Sequence, residues 1–355
     1  MSVTTTQFLL CISLTLTVAG CTAKPEVVYS SDSRLSHLKV KSGVSYTKQD
    51  LPGSPATFVR INQDGTATEI VRSSENLGEG PIADANDLYW FDFHKNICTK
   101  PIDATANVTA TCAALGSVEQ KSPLPTEYVQ MTGKELQDLI AGKGSGSTIM
   151  ELAGTPFAMY WVDVHSPDQD GLLMSGSAKG AKPQLIAHGH LLRAVATDAD
   201  TLFWVVSVQN GDEIHSKRTN GSSKETVWKG LVRSNLASDG TYLYFSTLER
   251  ATKLNKSDQT ASPVDTGSPV DKYDPAVLAI DQANVYIGYT SNDHPGANYS
   301  GNSMIFRIPK SGGKRAKLAS FAGEVSDLVA DSGELYWISC TGSSGPCQVM
   351  KTATK

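Results

Sequence analysis

An all-β fold assembled from one repeated four-stranded unit is what this sequence predicts, and three observations carry that expectation. One tripeptide returns along the chain: Leu88-Tyr89-Trp90, Met159-Tyr160-Trp161, Leu202-Phe203-Trp204, Leu243-Tyr244-Phe245, Val285-Tyr286-Ile287 and Leu335-Tyr336-Trp337, separated by 71, 43, 41, 42 and 50 residues. An Asp stands four residues ahead of it at Asp84, Asp198, Asp239, Asp281 and Asp331, and Thr155 takes that place before Met159. Between these landmarks run apolar or alternating segments of four to seven residues, broken by Gly, Asn and Asp turn signals every eight to twelve.

Spacings of 41, 42 and 43 residues with four strands per unit are the signature of a β-propeller blade. An antiparallel sandwich is the competing all-β reading. A helical solenoid fails because no segment sustains a 3.6-residue period. The first strand of a unit is an apolar segment such as Leu236-Ala237 or Val277 to Ile280, followed by the Asp turn and then the aromatic strand. A third strand such as Met304 to Ile308 and a fourth such as Ala316 to Ala319 complete it. Four of the five tryptophans, Trp90, Trp161, Trp204 and Trp337, occupy one repeat position and are expected to fill the space between blades. The turn Asp is expected to accept backbone N–H bonds, a structural role.

Val44-Ser45-Tyr46, then Thr57 to Ile61, the turn Gln63-Asp64-Gly65 and Thr66 to Val71 supply a further unit, so seven blades are predicted. Six is the alternative, because Val40 stands where other units carry Asp. The last unit ends at its third strand, Gln348 to Lys351, and Val27 to Ser30 is expected to add the fourth and close the ring. An insertion over about 117–147 contains Thr132-Gly133-Lys134-Glu135, a capping-box pattern that predicts a short helix, and then Gly144-Ser145-Gly146-Ser147.

Residues Phe8 to Ala19 have the length of a signal-peptide apolar region and are too short to span a bilayer. They end in Val18-Ala19-Gly20-Cys21, which resembles the lipobox of bacterial lipoproteins. That resemblance implies a signal peptide over 1–20 and a lipid on Cys21, which leaves 21–25 as a short tether and 26–355 as the single propeller domain that the repeat predicts. Thr22, rather than Asp, after the Cys implies delivery to the outer membrane of a Gram-negative envelope. A plain secretory signal, with Cys21 free to pair, is the alternative; Met1 to Gln7 carries no Lys or Arg. In an oxidising compartment Cys98 with Cys112 and Cys340 with Cys347 are expected as local disulfides, while a zinc site is disfavoured by the lack of CxxC spacing. A net charge of -5 leaves no basic surface for nucleic acid.

In a four-stranded meander, second-to-third strand loops and blade-to-blade connections share one face. The long segments Lys48 to Pro55, Ser117 to Ser147, Thr290 to Ser303 and Thr341 to Pro346 all fall there, which predicts a binding face. Asp92 with His94, and Asp163 with His165, occupy matching places in consecutive units, and Asp293, His294 and Tyr299 add a polar patch. Asp/His pairs suit divalent metal or acid–base work, and simple repeat descent is the plainer explanation of their recurrence. His188-Gly189-His190 is a weaker candidate. No nucleophile elbow, phosphate loop, HExxH or EF-hand series is present, so no catalytic residue and no cofactor are assigned.

At Tyr89-Trp90-Phe91-Asp92 and Tyr160-Trp161-Val162-Asp163 the chain resembles the YWTD-type propellers of lipoprotein receptors, without their Thr. Still more it resembles lipid-anchored bacterial propellers with an Asp before a Val/Leu-Tyr-Trp strand. The resemblance covers residues 26–355 and implies a non-enzymatic binding or scaffold role toward a protein, peptide or glycan at the envelope. The alternative is a periplasmic hydrolase or lyase with a metal or acid–base site at His94 and His165.

Overall fold

The computed structural model describes residues 25–50, 56–71, 77, 80–83, 86–92, 96–104, 107–114, 147–155, 158–165, 170–177, 183–198, 200–220, 224–268, 270, 273–291, 301–342 and 346–354. Their strands form seven antiparallel four-stranded sheets arranged as the blades of a propeller. The predicted helix near Thr132 and the signal segment lie outside the described residues.

Blade 1 is β2 (Arg34–Lys41), β3 (Val44–Asp50), β4 (Thr57–Ile61) and β5 (Ala67–Val71). Blade 2 is β6 (Ile82–Ala83), β7 (Asp87–Phe91), β8 (Asn96–Pro101) and β9 (Thr111–Ala114); blade 3 is β10 (Ser147–Thr155), β11 (Ala158–His165), β12 (Asp170–Gly176) and β13 (Gln184–His190). Blade 4 is β14 (Arg193–Thr197), β15 (Thr201–Val208), β16 (Gly211–Arg218) and β17 (Lys224–Gly230); blade 5 is β18 (Ala237–Ser238), β19 (Tyr242–Ser246), β20 (Ala251–Asn255) and β21 (Ala261–Pro263). Blade 6 is β22 (Tyr273–Ile280), β23 (Asn284–Ser291), β24 (Asn302–Pro309) and β25 (Ala316–Ala322). Blade 7 joins β26 (Glu324–Asp331), β27 (Glu334–Cys340) and β28 (Cys347–Ala353) to β1 (Glu26–Ser31), so the N-terminal strand closes the ring as expected.

The second strand of each blade is aromatic because it is covered on both faces. Side chains alternate along it, so Trp90, Trp161, Trp204 and Trp337 face the preceding blade, and all four are fully buried. Trp90 meets Phe58 of blade 1 edge-on at 6.0 Å, and Trp161 meets Phe91 of blade 2 at 5.0 Å. Trp204 joins Tyr160 and Val162 in one cluster; Trp337 joins Tyr286 and Ile305 in another. Each indole removes roughly 4–6 kcal/mol worth of apolar surface from water, an upper bound.

The hairpins show why blade 1 lacks the motif. Its turn is Ser42-Gly43, with φ of 51° and 77°, matching Ser332-Gly333 of blade 7 at 51° and 82°. The equivalence Lys41↔Val44 with Asp331↔Glu334 aligns Ser45-Tyr46-Thr47 with Leu335-Tyr336-Trp337. The unit therefore starts one residue later than the sequence pattern suggests, Lys41 stands in the Asp position, and Thr47 replaces the Trp. Its hydroxyl donates to the carbonyl of Ser36 at 2.8 Å.

Both predicted disulfides are present, Cys98–Cys112 across β8 and β9 and Cys340–Cys347 across β27 and β28. The second fastens the third strand of the closing blade at the end where β1 finishes.

Candidate functional site

Each innermost strand runs from the face bearing the long connections toward the Asp turns. The turn-ward parts of all seven enclose an axial cavity of about 1040 Å³. In five of these strands, β2, β10, β14, β22 and β26, the pairing slips by one residue midway, a β-bulge. A bulge sharpens the local twist and re-aims a side chain. His37, Ala276 and Ser326 sit at these slips and line the cavity.

The wall is mixed. Blades 2, 3 and 6 contribute aliphatic groups, including Ala83, Ala153 and Val277, and blades 4 and 5 add Thr197, Asp198, Asn235 and Ser238 beside Val195 and Leu236. Blades 1 and 7 contribute His37, Lys39, Lys41, Ser326 and Asp327. His37 holds a left-handed backbone, φ 57°, and its N–H donates to Asp327 Oδ2 at 3.1 Å, tying blade 1 to blade 7. Burial, reinforced by Lys48 and Lys39, lowers its imidazole pKa to about 4, so the ring is neutral at pH 7. The arrangement is a concave wall that mixes aliphatic and polar groups, a shape able to hold a ligand. Sequence reading missed these residues, although polar side chains inside otherwise aliphatic first strands were the available signal.

At the turn rim the repeated Asp residues among those described, Asp198, Asp239, Asp281 and Asp331, are all engaged. Asp198 Oδ1 accepts the N–H of Asp200 and of Thr201, at 3.3 and 3.0 Å. Asp239 does the same for Thr241 and Tyr242, and Asp281 for Ala283 and Asn284. The second oxygens reach sideways: Asp198 binds Lys256 of blade 5, and Asp239 binds Lys310 of blade 6 at 2.7 Å. Asp331 accepts the Gly43 N–H of blade 1 at 3.1 Å. Burial alone raises the Asp239 carboxyl pKa, but the Lys310 ammonium, two N–H groups and the Tyr244 hydroxyl outweigh it and hold the group well below the usual carboxylate range.

Of the residues singled out from sequence, Asp92 and Asp163 are buried, on the Trp-bearing faces of β7 and β11. Those faces pack against blade 1 and blade 2 respectively, so the two carboxylates enter successive inter-blade clefts and do not share one site. Asp92 accepts the Asn96 N–H at 2.8 Å and its Nδ2 at 2.7 Å, closing the connection between β7 and β8. Asp163, Leu172 and His188 stand in one cross-strand row. Gly189 is a packing residue: a Cβ there would meet Val206 Cγ1 at 2.8 Å. His165 ends β11 opposite Ser147. His94, Asp293, His294, Tyr299 and Cys21 lie outside the described residues. Among the described residues, one group has metal-like spacing, Asp92 with Cys98 and Cys112, and its sulfurs are joined to each other, which leaves no thiolate to ligate.

No protein-family model and no curated protein matches the chain. Among solved structures it is similar to YCF48 bound to D1 peptide, with a TM-score of 0.58, 8% identity, and 95% of this chain and 98% of that one covered. It is similar to the β-propeller domain of the Trilobed protease from Pyrococcus furiosus, TM-score 0.57 at 11% identity, over 92% of this chain and 97% of that one. It is also similar to a prolyl endopeptidase, TM-score 0.53 at 11% identity, where it covers 92% of itself and spans 49% of that chain. At these identities the likeness shows the fold, which serves binding proteins and parts of peptidases alike.

Proposed function

We propose that the chain is a non-enzymatic binding propeller of the bacterial envelope, lipid-anchored at Cys21, that engages a protein or peptide through the face carrying its long connections. The observation that carries the reading is the one-sided distribution of those connections. The three longest connections, 115–146, 72–81 and 292–301, all join strand ends on one face, whereas the longest on the other, 102–110, has nine residues and the first-to-second strand turns there are as short as Ser42-Gly43. A rigid ring with variable segments on one side is how scaffolds present recognition loops. A neighbour of this fold, YCF48, was solved bound to a peptide. A glycan ligand is the other outcome that the recovery experiment below distinguishes.

Crosslinking of intact envelopes followed by recovery of the protein is expected to return one stoichiometric protein partner, lost when Asp293, His294 and Tyr299 are replaced by Ala. Labelling with an alkyne fatty acid is expected to mark the native chain and not Cys21→Ala. A stoichiometric divalent ion in the purified protein, lost in His94→Ala/His165→Ala, would replace this reading with the hydrolase or lyase alternative.

A further inference from the structure

We infer that the ring lies with its Asp-turn face against the bilayer and its loop-bearing face directed away from it. The inference rests on the lipid anchor at Cys21 and adds to it the direction in which the propeller is held.

The closing strand fixes the geometry. Ser31 of β1 pairs with Cys347, and Cys347 pairs with Cys340 beside the 341–346 connection, so β1 finishes at the loop-bearing face. Glu26 pairs with Lys351 near the opposite end, where Glu334 follows the Ser332-Gly333 turn. Lys351 Nζ lies 3.8 Å from Glu26 and 3.3 Å from Glu334, holding the first residue of β1 at that corner. The chain therefore enters the ring from the turn face. Thr22, Ala23 and Lys24 alone separate Cys21 from Pro25.

Two lengths decide the orientation. The stretch from Cys21 to Pro25 reaches at most about 14 Å when fully extended. The five steps from Glu26 to Ser31 along β1 rise roughly 17 Å between the two faces. The tether is thus shorter than a blade is tall, before the connections that rise above the blade are added. A lipid on Cys21 cannot reach a membrane lying over the loop-bearing face. It reaches one lying under the turns.

The native lipidated protein in vesicles tests this, with a fluorophore on one introduced thiol and a nitroxide on the lipid headgroup as quencher. Arg218, at the end of β16 in blade 4, and Lys314, between β24 and β25 in blade 6, are exposed on the turn side. Glu324, the first residue of β26, is exposed at the loop side. Quenching is expected to be at least about threefold stronger at Arg218→Cys and Lys314→Cys than at Glu324→Cys. Equal or stronger quenching at Glu324→Cys overturns the orientation, as does quenching at Lys314→Cys without Arg218→Cys, which describes a ring standing on its edge. Flotation separates the two levels. Protein that fails to float with vesicles removes the anchor and the orientation together, whereas protein that floats with the wrong quenching pattern removes the orientation alone.

Discussion

The two faces of the ring are built on opposite principles. On the turn face the same residue types recur from blade to blade, Asp198, Asp239 and Asp281 each capping their own hairpin while Lys256 and Lys310 reach back to the Asp of the preceding blade. On the loop face the recurrence is confined to Asp92 and Asp163 with the His two residues after each, and the connections range from the single Gly323 between β25 and β26 to the 115–146 segment. In a repeat protein, then, recurrence marks what holds the units together. The Asp92 and Asp163 pair shows what recurrence alone leaves open: the ring sets the two carboxylates in successive inter-blade clefts, with Asp92 closing the connection that follows its own strand.

The sharpest way to break this contrast is to remove one turn carboxylate. Asp239→Ala deletes two backbone bonds, the Tyr244 contact and the Lys310 ion pair, and leaves a half-buried ammonium behind. A loss of about 3 kcal/mol in urea unfolding is expected, and a loss under about 1 would mean the turn face is not held by these groups. Next comes the fastening of the closing blade. Cys340→Ser/Cys347→Ser is expected to cost about 2.5 kcal/mol for a loop of this length.

A third effect is expected in the interior between the faces. His215 is fully buried, lies against Trp204 with ring centroids 5.7 Å apart, and has its pKa lowered to about 4 by burial and by Lys224, against the opposing pull of Glu213. The unfolded chain takes up the proton near pH 6.5 and the folded chain resists until about pH 4, so stability is full above the first value and falls toward the second. Comparing unfolding at pH 7 and pH 4.5, His215→Gln is expected to remove about 2 kcal/mol of that fall. An unchanged pH profile would show that His215 does not titrate this way. Below about pH 4 the depressed turn carboxylates Asp198, Asp239 and Asp281 add their own loss.

The smallest effects belong to exposed positions. Arg218→Glu and Glu324→Lys are each expected within about 0.5 kcal/mol of the native stability. They separate the faces by another measure: partner recovery should drop for Glu324→Lys and hold for Arg218→Glu.

Much of the architecture was legible because a blade is a local object. Its strands are consecutive, so tripeptide, Asp turn and spacing all fall within one stretch of about 42 residues, and the missing fourth strand of the last unit pointed to Val27 to Ser30. Register is not legible where the markers are absent, as at Tyr46: without Asp or Trp, the sequence pattern places the first unit one residue early. The cavity was hidden for a different reason. Its wall takes a few residues from each of seven strands, and bulges such as the one at His37 shift which side chain points inward without leaving any mark in composition. The Lys256 to Asp198 link, between residues 58 apart, exists only once neighbouring blades are side by side.

The pairing of β1 with β28 sets an order of events during biogenesis. The first strand of the ring to leave a ribosome or a translocation pore must wait, its hydrogen-bonding edge unfilled, until the last has emerged. Blades 1 to 6 draw all four strands from consecutive chain and mature as they arrive. The seventh is the clasp, and a nascent chain stalled before Cys347 would be an open circle with two sticky edges, the species on which chaperones and proteases act.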